Sequence, residues 1–203
     1  MNSNNKEMSQ LENVLLVFPE VKISSSYDLQ DSETHTVLTV PPHLLTKVLE
    51  FLRDDSTSQY KTLISICGAD FPQYKKRFLV NYHLLSVHFV HRLNVQVWVE
   101  DGESLDTAVG LYKSAGWYER EVYDMFGVFF TEHPDMRRIL SDYGFQGHPL
   151  RRDFPLTGFY ETRYDEAEKR IITENVEFAQ EFRSFDFTSP WDQTSRPNII
   201  RKK

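Results

Sequence analysis

The stretch "RFLVNYHLLSVHFVHRLNVQVWVED", residues 77–101, contains two apolar runs separated by a short change in polarity near Ser86–His91. In the second run, Leu93, Val95, Val97 and Val99 recur at every other position. This period of two is typical of a β-strand with one buried face. A connection this short places the two runs side by side and antiparallel, as a hairpin. The stretch therefore predicts the centre of an antiparallel sheet.

The segments before this hairpin predict two further strands and a helix. "THTVLTVPP", residues 34–42, alternates apolar and polar residues and ends in two prolines, which stop a strand. "YKTLISICGADFP", residues 60–72, is also strand-like, and "PQYKK" follows as a turn. Between them, "HLLTKVLEFLRDD" has the spacing of an amphipathic helix. Its apolar face comprises Leu44, Leu45, Val48, Leu49 and Leu52.

After the hairpin, the pattern predicts a helix from about Ser104 to Phe126, kinked at Ala115-Gly116. Ser104 or Asp106 could cap its start, and Gly127 is a suitable stop. Its core-facing stripe comprises Trp117, Tyr118, Val122, Met125 and Phe126. The element order β-α-β-β-β-α predicts an α+β fold, a largely antiparallel or mixed sheet with helices on one face.

The pattern divides the chain into three parts. Residues 1–33 are weakly patterned, with one short helix expected around Leu11–Val17. Residues 34–130 form the α+β domain. Residues 131–203 sustain neither period and are punctuated by prolines and glycines, yet they are rich in aromatic residues. We interpret them as a long, extended C-terminal arm that binds a partner, because a tail of this kind is usually ordered by what it contacts.

Composition excludes several functions. The formal net charge of −7 argues against nucleic acid as the main partner. A single cysteine, Cys67, cannot form an internal disulfide, nor hold an iron–sulfur cluster or a structural zinc ion, which need about four ligands. No apolar run approaches the ~20 residues of a transmembrane helix. The first residues lack the features of a signal peptide or a mitochondrial transit peptide, so we expect the chain to be used where it is made.

The segment "WYEREVYDMFGVFFTEHPDMRRIL", residues 117–140, is dense in groups that could carry chemistry. Glu121 and Asp124 share a helix face at i, i+3, and one alternative is a metal-dependent hydrolase that uses them with His133 and His148. However, Arg120 and Asp124 have the i, i+4 spacing of a surface ion pair. HExxH, the phosphate-binding glycine motifs and GxSxG are all absent from the sequence. We therefore favour a structural role.

The same segment resembles the signature of the hydrophilic NuoC-type subunits of respiratory complex I, also called the 30-kDa subunit or NADH dehydrogenase subunit 9. The resemblance runs through Glu119-Arg120-Glu121, Asp124, His133, Arg137 and Ile139-Leu140. "ISICGADFP", "SDYGFQGHPLRRDFPLTGFYETRYD" and "QEFRSFDFTSPW" are similar to further family segments in the same order, so the likeness covers roughly residues 34–195.

This resemblance implies a core subunit without a redox centre, in the quinone module of the peripheral arm of proton-pumping NADH:quinone oxidoreductase. The chain would bind no cofactor, metal or catalytic group of its own, since FMN and the iron–sulfur clusters belong to partner subunits. Its expected partners are the hydrogenase-like large quinone-module subunit and the neighbouring iron–sulfur subunits. The expected location is the matrix side of the mitochondrial inner membrane, without a membrane span, and the cytoplasmic face of a bacterial membrane is the less favoured alternative. A transient assembly factor that binds the same partner is the other alternative.

We expect the contacts with partners to involve charged and aromatic side chains, because arginine and aromatic residues dominate protein–protein hot spots. Arg137 and Arg138 would hold carboxylates of a neighbour by forked hydrogen bonds. Phe145, Phe154 and Phe159 would fill its pockets. The full set of candidate interface residues is Glu119, Arg120, Glu121, Asp124, His133, Arg137, Arg138, Tyr143, Phe145, His148, Arg151, Arg152, Phe154 and Trp191.

Overall fold

A computed structural model describes residues 13–27, 34–180 and 183 of the chain. By their contacts the residues divide into two compact units, Met1–Leu156 and Thr157–Lys203. The sequence instead predicts a boundary after residue 130. Trp191, and the rest of the predicted arm beyond residue 183, lie outside the described residues.

The first unit is built on a five-stranded mixed sheet. Its strands are β1 (Lys22–Tyr27), β2 (Thr34–Thr39), β3 (Thr62–Asp70), β4 (Phe78–Ser86) and β5 (His91–Val99), in the spatial order β1-β2-β5-β4-β3. The predicted hairpin is confirmed, since β4 and β5 pair antiparallel from Phe78 opposite Val99 to Ser86 opposite His91. Only β2 and β5 pair in parallel among these strands. Strand β1 is a feature that the sequence pattern did not predict.

Residues 13–17 are helical, which confirms the short helix expected there over the residues that the structure describes. Two longer helices complete the first unit. A short 3₁₀ helix, Pro42–Leu44, leads into α1 (Leu45–Asp54), and α2 spans Ala115–Phe126. The prediction of α1 is confirmed, and Leu45, Val48, Leu49 and Leu52 are its buried residues. Both helices contribute to one apolar cluster with alternate residues of the sheet, such as Ile66, Tyr82 and Val95. The α+β class is therefore confirmed.

The region between β5 and α2 differs from the prediction of one long helix from Ser104. Ser104–Asp106 forms a short strand, β6, which pairs in parallel with β7 (Phe129–Thr131). Leu105 is buried while Ser104 and Asp106 are exposed, which is a strand alternation. Neither residue can cap a helix, because α2 begins only at Ala115. Gly127 does end α2, as predicted, in the left-handed conformation with φ +79°.

The described part of the second unit contains one hairpin. Strands β8 (Tyr160–Asp165) and β9 (Arg170–Asn175) pair antiparallel, with Tyr160 opposite Asn175. In the described part of the chain, no helix is both long and apolar enough to cross a bilayer.

Candidate functional site

Helix α2 carries a carboxylate in the middle of its buried face. Ala115, Glu119, Val122 and Phe126 are its core residues, at i, i+4, i+7 and i+11. Trp117 is 67% exposed, so its assignment to the core-facing stripe is wrong. It lies about 200° around the helix from Ala115 and from Glu119, on the opposite side.

Glu119 is fully buried and holds the loop before α2. Its carboxylate accepts hydrogen bonds from the Ala108 N–H at 2.7 Å and the Thr107 hydroxyl at 2.5 Å. Burial raises the pKa of Glu119 to about 7, against the opposing effect of these two hydrogen bonds. His133 Nε2 lies 3.8 Å from the carboxylate. The Asp135 N–H donates to His133 Nδ1, which leaves Nε2 as the donor to the Gly116 carbonyl.

Tyr82 lies in the same interior region. Burial raises the pKa of Tyr82 far above its ordinary value, and the charge of Glu119 adds to the effect. Its hydroxyl has no hydrogen-bond partner among the described residues. The interior under α2 therefore destabilises negative charge, and this is why the pKa of Glu119 is raised.

Asp124, on the same helix, has the opposite electrostatic character. Its carboxylate accepts three backbone N–H groups, those of residues 139, 140 and 141, at 2.7–3.1 Å. The Ser141 hydroxyl and the Arg138 guanidinium also donate to it. Burial alone would raise the pKa of Asp124, but the hydrogen bonds from residues 139–141 outweigh it and lower the pKa to about 2. Asp124 therefore fastens the segment after the domain to α2.

Arg120 does not form the predicted i, i+4 ion pair, because Asp124 turns inward to this loop. Its Nε donates to the Arg137 carbonyl at 2.9 Å, and its guanidinium lies 5.3 Å from the ring centre of Trp117.

The C-terminal end of α2 is covered by the "HPLRR" segment, residues 148–152. His148 Nδ1 donates to the Asp124 carbonyl at 3.0 Å, and Arg151 Nε donates to the Phe126 carbonyl at 2.6 Å. These bonds satisfy carbonyl groups that a helix end leaves without an internal partner. A side chain at Gly127 would meet both His148 and Arg151 at 2.6 Å, so this close cover requires glycine.

A second set of hydrogen bonds connects the end of β3 to the segment that follows α2. Asp70 accepts two hydrogen bonds from Arg77, at 2.6 and 2.7 Å, and one from the Arg152 N–H at 2.8 Å. The hydrogen bond from Arg77 is the main reason why the pKa of Asp70 lies below its ordinary value. Arg77 also pairs with Asp153 at 3.0 Å. Residues 131–156 are thereby folded against the sheet and α2 rather than extended away from them.

The structure places the candidate interface residues in three environments. The buried ones are Glu119 and Asp124, which serve the interior of this chain and expose no side-chain surface for a partner. The half-buried ones are Arg120, His133, Arg138, Phe145, His148, Arg151 and Phe154. The exposed ones are Glu121, Arg137, Tyr143 and Arg152. Partner contact stays a prediction for the residues with exposed surface.

The sequence reasoning missed several residues at this site. Leu140, Leu150 and Leu156 are 61%, 55% and 86% exposed. An apolar residue outside any period can face solvent or a partner, and the local sequence does not distinguish these from core residues. Asp70 and Arg77 were not predicted either, because Asp70 meets the Arg152 N–H, and Arg77 meets Asp153, only in the folded chain.

The four residues of the alternative hydrolase do not form a metal site. Glu121 points to solvent, while the acceptors of Asp124 are occupied by residues 138–141. Within residues 13–27, 34–180 and 183, no group of three or more His, Cys, Asp or Glu side chains could hold a metal ion.

Comparison with known proteins identifies relatives over most of the chain. Residues 38–160 match the family described as "Respiratory-chain NADH dehydrogenase, 30 Kd subunit". The chain is 49% identical to NADH-ubiquinone oxidoreductase subunit 9 of Reclinomonas americana over 174 residues, which is 85% of each chain. It is 55% identical to a subunit of the NADH-quinone oxidoreductase of Rhizobium etli over 157 residues, 77% of this chain and 78% of the relative.

Solved structures show the same fold. The trypsin-resistant fragment (1-134) of Nqo5 superposes with a TM-score of 0.51 at 27% identity, over 62% of this chain and 98% of the fragment. A chain of an archaeal respiratory membrane complex, the membrane-bound sulfane sulfur reductase, superposes with a TM-score of 0.63 at 23% identity. That match covers 74% of this chain and 86% of the other, and it bears on the fold alone.

Proposed function

The chain belongs to the family of 30-kDa subunits of the respiratory-chain NADH dehydrogenase, and from this membership we propose that it is a core structural subunit of that enzyme. Its relatives are named as subunits of NADH-ubiquinone and NADH-quinone oxidoreductase. The chain is accordingly part of a proton-pumping NADH:quinone oxidoreductase, complex I. It supports the electron path from NADH to quinone by holding other subunits together.

The observation that carries this role is the match over residues 38–160, which includes α2 and the whole segment folded against it. The structure adds a physical reason for docking. Large apolar side chains are exposed at Trp117, Leu140, Tyr143, Leu150 and Leu156. We infer that these side chains together form a contact surface for other subunits.

The finer assignments extend this proposal. The partners are the hydrogenase-like large quinone-module subunit and the neighbouring iron–sulfur subunits, on the matrix side of the mitochondrial inner membrane. Residues of the C-terminal arm contact them as well. FMN and the iron–sulfur clusters are bound by partner subunits and not by this chain. Metal and flavin analysis of the chain produced alone tests the last point, since a stoichiometric metal or flavin would contradict it.

The docking role is tested by replacing Leu140 and Tyr143 with serine together. Leu140 is 61% exposed and Tyr143 is fully exposed, so we expect the free chain to stay folded while its recovery with the other subunits falls. Val87→Ser is the matched control, because Val87 is 68% exposed in the β4–β5 turn. Full recovery of the double variant in the complex would contradict a docking role for this segment.

A further inference from the structure

Strand β3 is an open edge of the five-stranded sheet. It pairs with β4 alone and stands at the end of the strand order. Its first eight residues, "TLISICGA", contain neither charge nor proline. Proteins usually guard a long edge of this kind with charges, prolines or bulges, or else they cover it. In β3 the described protection is one irregularity in register between Leu63 and Ser65, and one hydrogen bond at 3.5 Å from the Ser114 hydroxyl to the Leu63 carbonyl.

A groove of about 260 Å³ runs beside this edge. One wall is formed by four consecutive residues of β3, Ser65 to Gly68. The other is one face of α2, and Leu150 completes the lining. The lining residues of α2 are Tyr118, Glu121, Val122, Met125 and Phe126. This volume is below the range of about 300–1,000 Å³ that small-molecule sites occupy. A strand edge facing a helix instead suits the alternate side chains of an extended peptide.

Gly68 determines how closely α2 can approach β3. A Cβ atom at this position would lie 2.6 Å from the ring of Phe126, so only glycine lets α2 approach β3 this closely. The groove is therefore a built feature of the packing between this helix and this strand.

The charge of the groove indicates the chemistry of what occupies it. Glu121 is exposed on the helix wall and makes neither a hydrogen bond nor an ion pair with any described residue. Its neighbours Val122 and Met125 are apolar. The chain as a whole carries a net charge of −7. A complementary segment would be apolar at alternate positions and basic where it faces Glu121.

We propose that the β3 edge accepts an extended segment of a partner subunit as a sixth strand. Backbone hydrogen bonds to residues 64–68 hold the segment, and its apolar side chains enter the groove against Val122 and Met125. A lysine or arginine of the segment pairs with Glu121. The identity of the occupant as another subunit rests on the proposed function.

The single cysteine makes this edge directly measurable. Cys67 lines the groove and is exposed. In the free chain, we expect a maleimide to label Cys67 rapidly, and the outward-pointing amides of residues 64–68 to exchange quickly. In the assembled complex, both rates should fall at least about tenfold, as for a strand edge that has become paired. Unchanged rates in a chain that is present in the complex would overturn the added strand and leave the proposed function intact.

A photo-crosslinker attached to Cys67 identifies the occupant. Recovery of a partner segment with alternating apolar residues and one basic residue supports the proposal. Crosslinks to a second copy of this chain, or to its own residues 184–203, overturn it. If the label keeps the chain out of the complex while the unlabelled chain enters it, the edge is needed for assembly, which supports the proposal. An unlabelled chain that never enters the complex would instead contradict the proposed function.

Charge reversal provides an independent test. Glu121→Arg should lower the yield of assembled complex at least about fivefold, because it places like charges together at the groove. Glu50→Arg is the matched control, since Glu50 is an exposed glutamate on α1. Equal assembly of the two variants would overturn the role of Glu121.

Discussion

Glu119 and Asp124 lie on the same helix and are both fully buried, yet their pKa values move in opposite directions. Glu119 has two hydrogen-bond donors in an apolar interior. Asp124 has five, three of them backbone N–H groups and one an arginine. Burial raises both pKa values, and the donors outweigh burial only at Asp124, so Asp124 is the carboxylate that stays ionised.

Replacing Glu119 with glutamine should remove a pH dependence of stability. The folded pKa of Glu119 is about 7, above its ordinary value of 4.5, so the folded state binds the proton more tightly. Its contribution to stability is complete below pH 4.5 and is lost as the pH rises toward 7, by about 3 kcal/mol. Urea unfolding between pH 4.5 and 8 measures the effect. An equally steep fall in Glu119→Gln would show that another group is responsible.

Replacing Asp124 with asparagine should destabilise the chain at neutral pH by about 2–4 kcal/mol. Asparagine loses the negative charge that faces Arg138 and turns an N–H donor toward backbone donors. In the native chain, the contribution of Asp124 is present above its unfolded pKa, and it is lost as the pH falls toward about 2. Denaturant unfolding at pH 7 measures the loss. Glu121→Gln, an exposed change on the same helix, is the control and should lie within about 0.5 kcal/mol of the native chain.

At the scale of elements, the contact between β3 and α2 depends on a residue without a side chain. Gly68→Ala places a methyl group 2.6–2.8 Å from the ring of Phe126, and the helix must shift. We expect a loss of about 1–3 kcal/mol, typical of overpacking. Gly110→Ala is the matched control, because a Cβ there meets nothing within 4 Å. Thermal unfolding measures the stability of both variants. Equal unfolding temperatures would show that the contact between β3 and α2 is not tight.

The sequence predicts those elements whose apolar residues repeat over a long stretch. In α1 the apolar residues recur over several helical turns, and in the β4–β5 hairpin they recur at alternate positions, so the period alone identifies both. Strand β1, "KISSSY", has one aliphatic residue and three serines, and no period marks it. Strand β6 is three residues long and pairs with β7, about 25 residues later. The local sequence holds no sign of this distant partner, so it predicts the start of the following helix instead.

The candidate site was predictable in location but not in arrangement. The signature segment points to α2 and the loops that bind to it, and partner contact in this region stays a prediction. The partner of Asp124 could not be found from helix spacing, because Arg138 and residues 139–141 reach it only after the chain folds back. Similarly, the bonds of Arg151 and Arg152 to α2 and β3 span many residues.

At the scale of the whole molecule, residues 131–156 of the first unit are held against the sheet and α2 by hydrogen bonds. Asp70, Asp124 and the end of α2 hold residues 131–156 in place through charged hydrogen bonds. Arg151→Ala removes the donor to the Phe126 carbonyl and should free this segment locally. Proteolysis within residues 144–156 should then be faster, with little change at α1. Unchanged cleavage would show that the other bonds suffice.

The central claim is that this chain is a structural subunit of the respiratory NADH dehydrogenase. The most direct measurement is a native gel of gently solubilised membranes, stained for NADH dehydrogenase activity, with the chain quantified by mass spectrometry. We predict that the chain migrates in the large active band at a constant ratio to the other subunits. Its recovery only as a small species, away from that band, would contradict the claim.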